Sequence, residues 1–320
     1  MNLWKLRLSV FGTLAAIIGL STLFFTAILT WTGAFDWLTL GIFVVLFNLA
    51  QWLLAPYLID AMYRVREVSR SDDPELYGMV ERLSEKSGMK MPRVMLANMP
   101  VPNAFAYGSP IAGTRVAVTT ELRKTLESEE VEAVIGHELG HLKHRDVQVM
   151  MVVSLLPALF YWIGYSMLLS AGYGRREDRG GGAALVGIAS IAIYWILTLF
   201  TLYLSRLREY FADRHSATIV EEGPRKLSEA LAKIVRSTEK TKRKRREGSS
   251  LNSFKALFIA DPDRAESDAL SMTRAGQYMA DQRLVQDVLS RKVTTLDRIA
   301  ELFSSHPNIV KRLRALQEST

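Results

Sequence analysis

The sequence predicts a mainly α-helical membrane protein: four apolar helices joined to a soluble α+β part with a small sheet. Two observations predict this. Four long segments, 8–35, 37–59, 147–174 and 180–205, contain no Asp, Glu, Lys or Arg. The 40 basic and 33 acidic residues are confined to the rest, where roughly one residue in three is charged, above the usual quarter. The averages over all 320 residues, 49% apolar and 23% charged, hide this division. It excludes a single soluble globule and wholesale disorder. The hydrophilic part remains long enough for a domain with its own core.

Each uncharged segment exceeds the roughly 20 residues needed to cross the hydrocarbon core. The first two are separated by a short turn at Gly33 and Asp36, and Trp31 and Trp37 sit where interfacial aromatics are favoured. Lys5 and Arg7 also suit a cleaved signal peptide, but the apolar run is too long and a second follows at once. Segments 147–174 and 180–205 are either two full spans or a hairpin partly buried against the soluble domain. Excess Lys and Arg in the N-terminal segment and in 60–146 and 206–320 places both termini and the soluble part on the cytoplasmic face. Arg175, Arg176 and Arg179 oppose that orientation if the second pair crosses fully.

The expected organisation is an anchor (1–59), a first catalytic part (60–146), the second apolar pair (147–205), and a second catalytic part (206–320) containing a basic linker (236–250). Residues 60–70 read as a charged helix leaving the membrane. Asp73 caps a helix that opens with Pro74 and carries Leu76, Met79, Val80 and Leu83 at helical spacing. Three β-type runs follow, 93–97, 104–107 and 114–119, punctuated by Pro and Gly. Ser128 then caps a helix reaching Asp146, with Glu129 and Glu130 in its first turn. Residues 206–219 and 225–236 read as two further helices. Seven of residues 236–246 are basic; beside a membrane protein such a run touches anionic lipid or is solvated, and no nucleic-acid partner is expected. The absence of cysteine excludes disulfides, thiolate metal sites and a cysteine nucleophile.

The chemistry concentrates at His137, Glu138 and His141. Two histidines at i and i+4 lie on one helix face, where their imidazoles take two corners of a zinc tetrahedron. Glu138 beside them can accept a proton from zinc-activated water and later deliver it to the leaving amine. A catalytic zinc needs a third protein ligand. His144 is about 10 Å along the helix axis from His137 and cannot supply it. Glu209 is favoured, because two antiparallel helices between 147 and 205 would return the chain beside His141. Asp213, four residues later on the same face, is placed to accept from the second ring nitrogen of a ligand histidine. His215 is off that face and reads as structural. An inactive scaffold is the rival reading, and the intact His137, Glu138, His141 and Glu209 argue against it.

These residues, with Asn103-Ala104-Phe105-Ala106, the run from Ser205 to Asp213, and His306-Pro307 ahead of Arg312-Leu313, resemble the HtpX-type membrane metalloproteases, relatives of the CAAX prenyl proteases. The resemblance covers nearly the whole chain. It implies a cytoplasmic zincin (gluzincin-like) catalytic domain with one Zn2+ per chain, held by His137, His141 and Glu209 with Glu138 as base. It implies a multi-pass endopeptidase of the cytoplasmic membrane that degrades damaged or misassembled membrane proteins. Its partners would be protein substrates and the lipid bilayer, with room for a homo-oligomer. It also implies that Asn103, Ala104, Phe105 and Ala106 form the strand that pairs with substrate. His306 would help hold the oxyanion, although from the residues alone it is equally a structural histidine ahead of Pro307. Residues 264–297 look longer than the family's connection before the His-Pro pair.

Overall fold

The structure is a computed structural model that describes residues 36–173, 177–244 and 281–318, together with Thr26 and Thr30. Its elements are α1 (Trp37–Met62), β1 (Arg66–Glu67), α2 (Pro74–Lys86), β2 (Arg93–Ala97), β3 (Ala104–Ser109), β4 (Gly113–Thr119), α3 (Thr120–Thr125), α4 (Ser128–Lys143), α5 (Asp146–Tyr173), α6 (Glu177–Ile219), α7 (Gly223–Lys244), α8 (Asp281–Leu289), α9 (Thr295–Leu302) and α10 (Ile309–Glu318). The chain divides into two compact units, Met1–Leu53 with Gln148–Tyr203 and Leu54–Val147 with Leu204–Thr320.

In the first unit many apolar side chains face outward: Leu38, Leu185 and Phe200 are 75%, 70% and 65% exposed. Helices α5 and α6 approach closely where glycine removes a side chain, since a Cβ on Gly164 would fall 2.8 Å from Ile191 and one on Gly187 2.8 Å from Leu168. Among the described residues two helices, Leu38–Met62 and Gly182–Ile219, are long and apolar enough to cross a membrane, and α5 holds a shorter apolar run, Leu156–Ala171. The expected stretch 8–35 lies outside the described residues apart from Thr26 and Thr30.

The second unit is built on a mixed four-stranded sheet in the order β1-β2-β4-β3. β2 and β4 are parallel, while β1 with β2 and β3 with β4 are antiparallel. β3 is therefore an edge strand. Its hairpin to β4 closes at Gly113, whose φ of 71° suits the residue without a Cβ. Alternate residues of the strands enter a core shared with α2, α4 and α7, including Leu83, Val116, Val118, Ile135, Leu139 and Leu231. Each fully buried leucine there stabilises the unit by about 2 kcal/mol relative to exposure.

Five local expectations are corrected. Residues 60–70 are not a helix: α1 ends at Met62, Arg64 takes φ 49°, and Val65 N–H bonds back to Asp60 C=O, a left-handed helix stop, before the short strand β1. The zinc-motif helix ends at Lys143, not Asp146, because the chain reverses at Arg145 with φ 54°. Its cap is Glu127 instead of Ser128, and the Glu127 N–H donates to the Glu130 carboxylate at 2.8 Å. α6 runs unbroken from Glu177 through Ile219, and α7 continues past Arg236 to Lys244. Charge onset had marked those two boundaries in the sequence, yet Lys, Arg, Glu and Leu all propagate a helix well. Residues 245–280, which include the rest of the basic linker, lie outside the described residues.

Candidate metal centre

All of the site lies in the second unit. α4 buries Val131, Val134, Ile135 and Leu139 on its core side. Its other flank meets the last turns of α6 at Gly136 and Gly140. A Cβ on Gly140 would stand 2.9 Å from the Ala212 backbone, and one on Gly136 would stand 3.0 Å from Ser216 Oγ. Ser216 in turn donates to the Ala133 carbonyl at 2.6 Å. The glycine inside the His-Glu-Leu-Gly-His run thus lets a second helix backbone approach, and that approach carries Glu209 to the two histidines.

His137 Nε2 lies 3.2 Å from His141 Nε2. Glu209 Oε2 is 3.7 Å from His137 Nε2, and Glu209 Oε1 is 3.5 Å from His141 Nε2. Both outer ring nitrogens already face acids: His137 Nδ1 is 2.9 Å from Asp213 Oδ1, and His141 Nδ1 is 2.6 Å from Asp146 Oδ2. With each ring neutral and its proton on Nδ1, both Nε2 lone pairs would be open to one shared ion. Glu209 Oε2, buried, receives no hydrogen bond. Donors bound at about 2.0–2.1 Å in a tetrahedron stand about 3.3 Å apart, close to the spacings seen here. Two neutral imidazoles and one carboxylate are also a zinc-type donor set. These three residues could hold a metal, and they fit it.

The surrounding charges are distinct at each acid. Arg312, buried on α10, makes a two-pronged contact to Asp213 at 2.6 and 2.9 Å and reaches to 3.2 Å from Glu209 Oε2. Burial alone would raise the Asp213 pKa, but Arg312 and His137 hold it well below the usual carboxylate range. Burial likewise opposes ionisation of Glu209, and the neighbouring cations, His306 and Arg312 first, bring its pKa down. Glu138 makes no ion pair among the described residues. Its Oε2 accepts from the Ala106 N–H at 2.9 Å, and burial pushes its pKa up to about 7.

That last bond locates β3. Ala106 is on the free edge of the sheet, and in an antiparallel pair the N–H groups of alternate residues turn away from the partner strand. Ala104, Phe105 and Ala106 are in β3, while Asn103 precedes it, donates its N–H to Thr119 Oγ1 and accepts from the Thr119 N–H at its carbonyl. His306 is buried with Nε2 3.7 Å from Glu209 Oε1. Its segment is fixed by Arg206, whose guanidinium caps the carbonyls of Glu301 and Ser304 at 2.8 Å, and by Asn308, which accepts from Val310 N–H at the start of α10. His215 pairs with Ser87 Oγ at 3.0 Å and is not one of the three donors. The sequence reading missed three residues of this constellation: Asp146, Arg208 (3.0 Å from Asp146 Oδ1) and the role of Arg312. Asp146 carried no signal, because i+5 is not a same-face spacing.

A fold of this kind around such a donor set defines a class of peptidase. The chain belongs to Peptidase family M48, a metalloprotease family, whose pattern matches residues 70–320. It is similar to proteases named as HtpX homologues. One from Thermoplasma acidophilum is 37% identical over 285 residues, covering 87% of this chain and 84% of that protein. Homologue 2 from Sulfurisphaera tokodaii is 38% identical over 321 residues (97% and 92% covered), and one from Aeropyrum pernix is 41% identical over 272 residues (84% and 82% covered). Among solved structures it resembles Ste24p of S. mikatae in fold, with a TM-score of 0.56 at 16% identity, over 98% of this chain and 66% of that one. Family, relatives and apolar helices together support a membrane metalloprotease acting on protein substrates.

Proposed function

We propose that the protein is a zinc endopeptidase embedded in the cytoplasmic membrane, hydrolysing peptide bonds of misfolded or damaged membrane proteins. The observation that carries this reading is the convergence of the His137 and His141 Nε2 atoms and the Glu209 carboxylate, with each Nδ1 atom facing an acid. His137, His141 and Glu209 would hold one zinc ion. When bound, zinc supplies Lewis-acid polarisation and brings the pKa of water towards neutrality. Glu138 takes a proton from the attacking water and returns it to the leaving amine. In the metal-free fold burial raises its pKa to about 7. His306, facing the same centre, donates to the negative charge developing on the carbonyl oxygen.

The edge strand supplies the substrate site. An extended peptide adding to β3 from Asn103 to Ala106 would be bound by main-chain hydrogen bonds, with little selection by sequence. Such weak selection fits a quality-control enzyme that meets many damaged proteins. Residues 1–59 serve as anchor and 147–205 as the second apolar pair, with both termini and the catalytic parts 60–146 and 206–320 on the cytoplasmic side.

The test uses detergent-solubilised full-length protein with casein as substrate. Wild type plus zinc cleaves it. Glu138→Gln retains zinc and loses cleavage by at least about 100-fold, the lower range for general-base catalysis. Glu209→Ala loses most of its zinc by elemental analysis. Undiminished cleavage in the first variant removes the mechanism, and full metal retention in the second removes Glu209 as a ligand.

A further inference from the structure

The zinc reading sets an acid behind each histidine, and the second of them, Asp146, reaches its ring by an unusual route. Asp146 is buried, and its carboxylate faces two groups: His141 Nδ1 at 2.6 Å and Arg208 Nε at 3.0 Å. Helical spacing does not make this contact, because in an unbroken helix residue i+5 points away from residue i. It exists because α4 stops at Lys143 and Arg145 takes a left-handed conformation, which costs a residue with a Cβ about 1–2 kcal/mol. The chain thereby returns Asp146 to the imidazole it has just passed.

We propose that Asp146, backed by Arg208, is a positioning residue for the metal centre: it fixes the ring of His141 so that Nε2 presents its lone pair. This rests on the zinc reading above. The Nδ1–H of His141 donates to Asp146, which selects one tautomer and one ring orientation and makes Nε2 a stronger donor. Arg208 balances the buried carboxylate, so the acid stays in place without competing for the metal itself. His137 has a parallel arrangement through Asp213 and Arg312, but Arg312 also lies 3.2 Å from Glu209. The Asp146 arrangement can therefore be altered without removing a neighbour of a ligand carboxylate.

The experiment compares wild type, Asp146→Asn and Asp146→Glu as full-length protein in detergent. Zinc Kd is read by competition with a chromophoric chelator, cobalt(II) is substituted for its d–d spectrum, and the metal-free melting temperature is recorded. The expected result is a zinc Kd raised about 10–100-fold in Asp146→Asn. Its cobalt bands shift, and Asp146→Glu recovers part of the affinity. A merely structural acid would lower the metal-free melting temperature and leave Kd and cobalt spectrum unchanged in the folded fraction. That outcome overturns the proposal. Should Asp146→Asn not fold, Arg208→Gln takes its place with an expected several-fold rise in Kd, and an unchanged Kd there is equally fatal. Wild type that binds no zinc overturns the zinc reading and this inference with it; wild type that binds zinc beside an unaffected Asp146→Asn overturns this inference alone.

Discussion

His137 and His141 stand one turn apart on the same helix and are held by opposite means. His137 is buried, and its partner comes from far along the chain: Asp213 on α6, itself gripped by Arg312 on α10. His141 is held by an acid five residues away. Burial dominates at His137 and lowers its pKa in spite of Asp213. At His141 burial also opposes the charged form, but the Asp146 hydrogen bond and the Glu209 charge outweigh it and raise the pKa. Without metal, burial favours the neutral ring at His137, while Asp146 and Glu209 favour the charged ring at His141. Zinc has to displace the proton of the charged ring, so affinity falls as the solution becomes more acidic. Helix spacing makes two histidines neighbours; their acid partners decide how each meets a metal.

Breaking the long-range arm of this comparison should have the largest effect. Arg312→Met leaves Asp213 and Glu209 as two buried carboxylates without their shared cation. Removing one partner of a buried ion pair costs about 3–5 kcal/mol. The metal-free variant should melt far below wild type and load zinc poorly. If melting temperature and zinc content both stay at wild-type values, Arg312 does not hold the His137 side.

Glu138 sharpens the comparison, because it lies between the two histidines in sequence and makes no ion pair such as Asp213 makes with Arg312. Its pKa in the fold is about 7 against an ordinary 4.5, with burial the leading cause. The sign follows directly. As pH rises from 4.5 the unfolded chain ionises first, so Glu138 withdraws stability from the metal-free protein up to pH 7, and the loss is constant above that. Glu138→Gln has no anion to bury. Its stability advantage should grow across that window to about 3 kcal/mol. Melting temperatures of the two metal-free proteins between pH 4.5 and 8 measure it. A pH-independent difference would mean that burial does not set this pKa.

The legible parts of the molecule are those with local periodicity. Leu76, Met79, Val80 and Leu83 announced α2, and the short β-type runs punctuated by Pro and Gly announced β2, β3 and β4 within one or two residues. His137 and His141 were legible for the same reason, being one turn apart. Glu209 required a guess about how the intervening chain returns, and the structure sets it beside both histidines. What stayed hidden depends on a single backbone rotation or on great separation. Asp146 reaches His141 only through the φ of Arg145. Arg312 is 99 residues from Asp213, with no repeating pattern to link them. Arg64 ends α1 by the same left-handed device, unseen because charge content is silent about backbone conformation.

The smallest effect belongs to a third histidine, which shows what the ring does without an acid. His215 is half-buried beside Ser87 Oγ, and burial, followed by the charge of Lys143, pushes its pKa down to about 4. Its linkage runs opposite to that of His141. A lowered histidine gives stability that is present above pH 6.5 and is lost as pH falls towards 4, whereas the raised His141 gives stability that is present below 6.5 and is lost at higher pH. Ser87→Ala removes one neutral hydrogen bond and should cost about 1 kcal/mol at pH 7. Zinc content and casein cleavage should match wild type, since Ser87 touches none of the three donors. A Ser87→Ala protein that melts normally yet loses zinc would mean that His215 supports the metal centre after all. The contrast between acid-held and acid-free histidines would then fail.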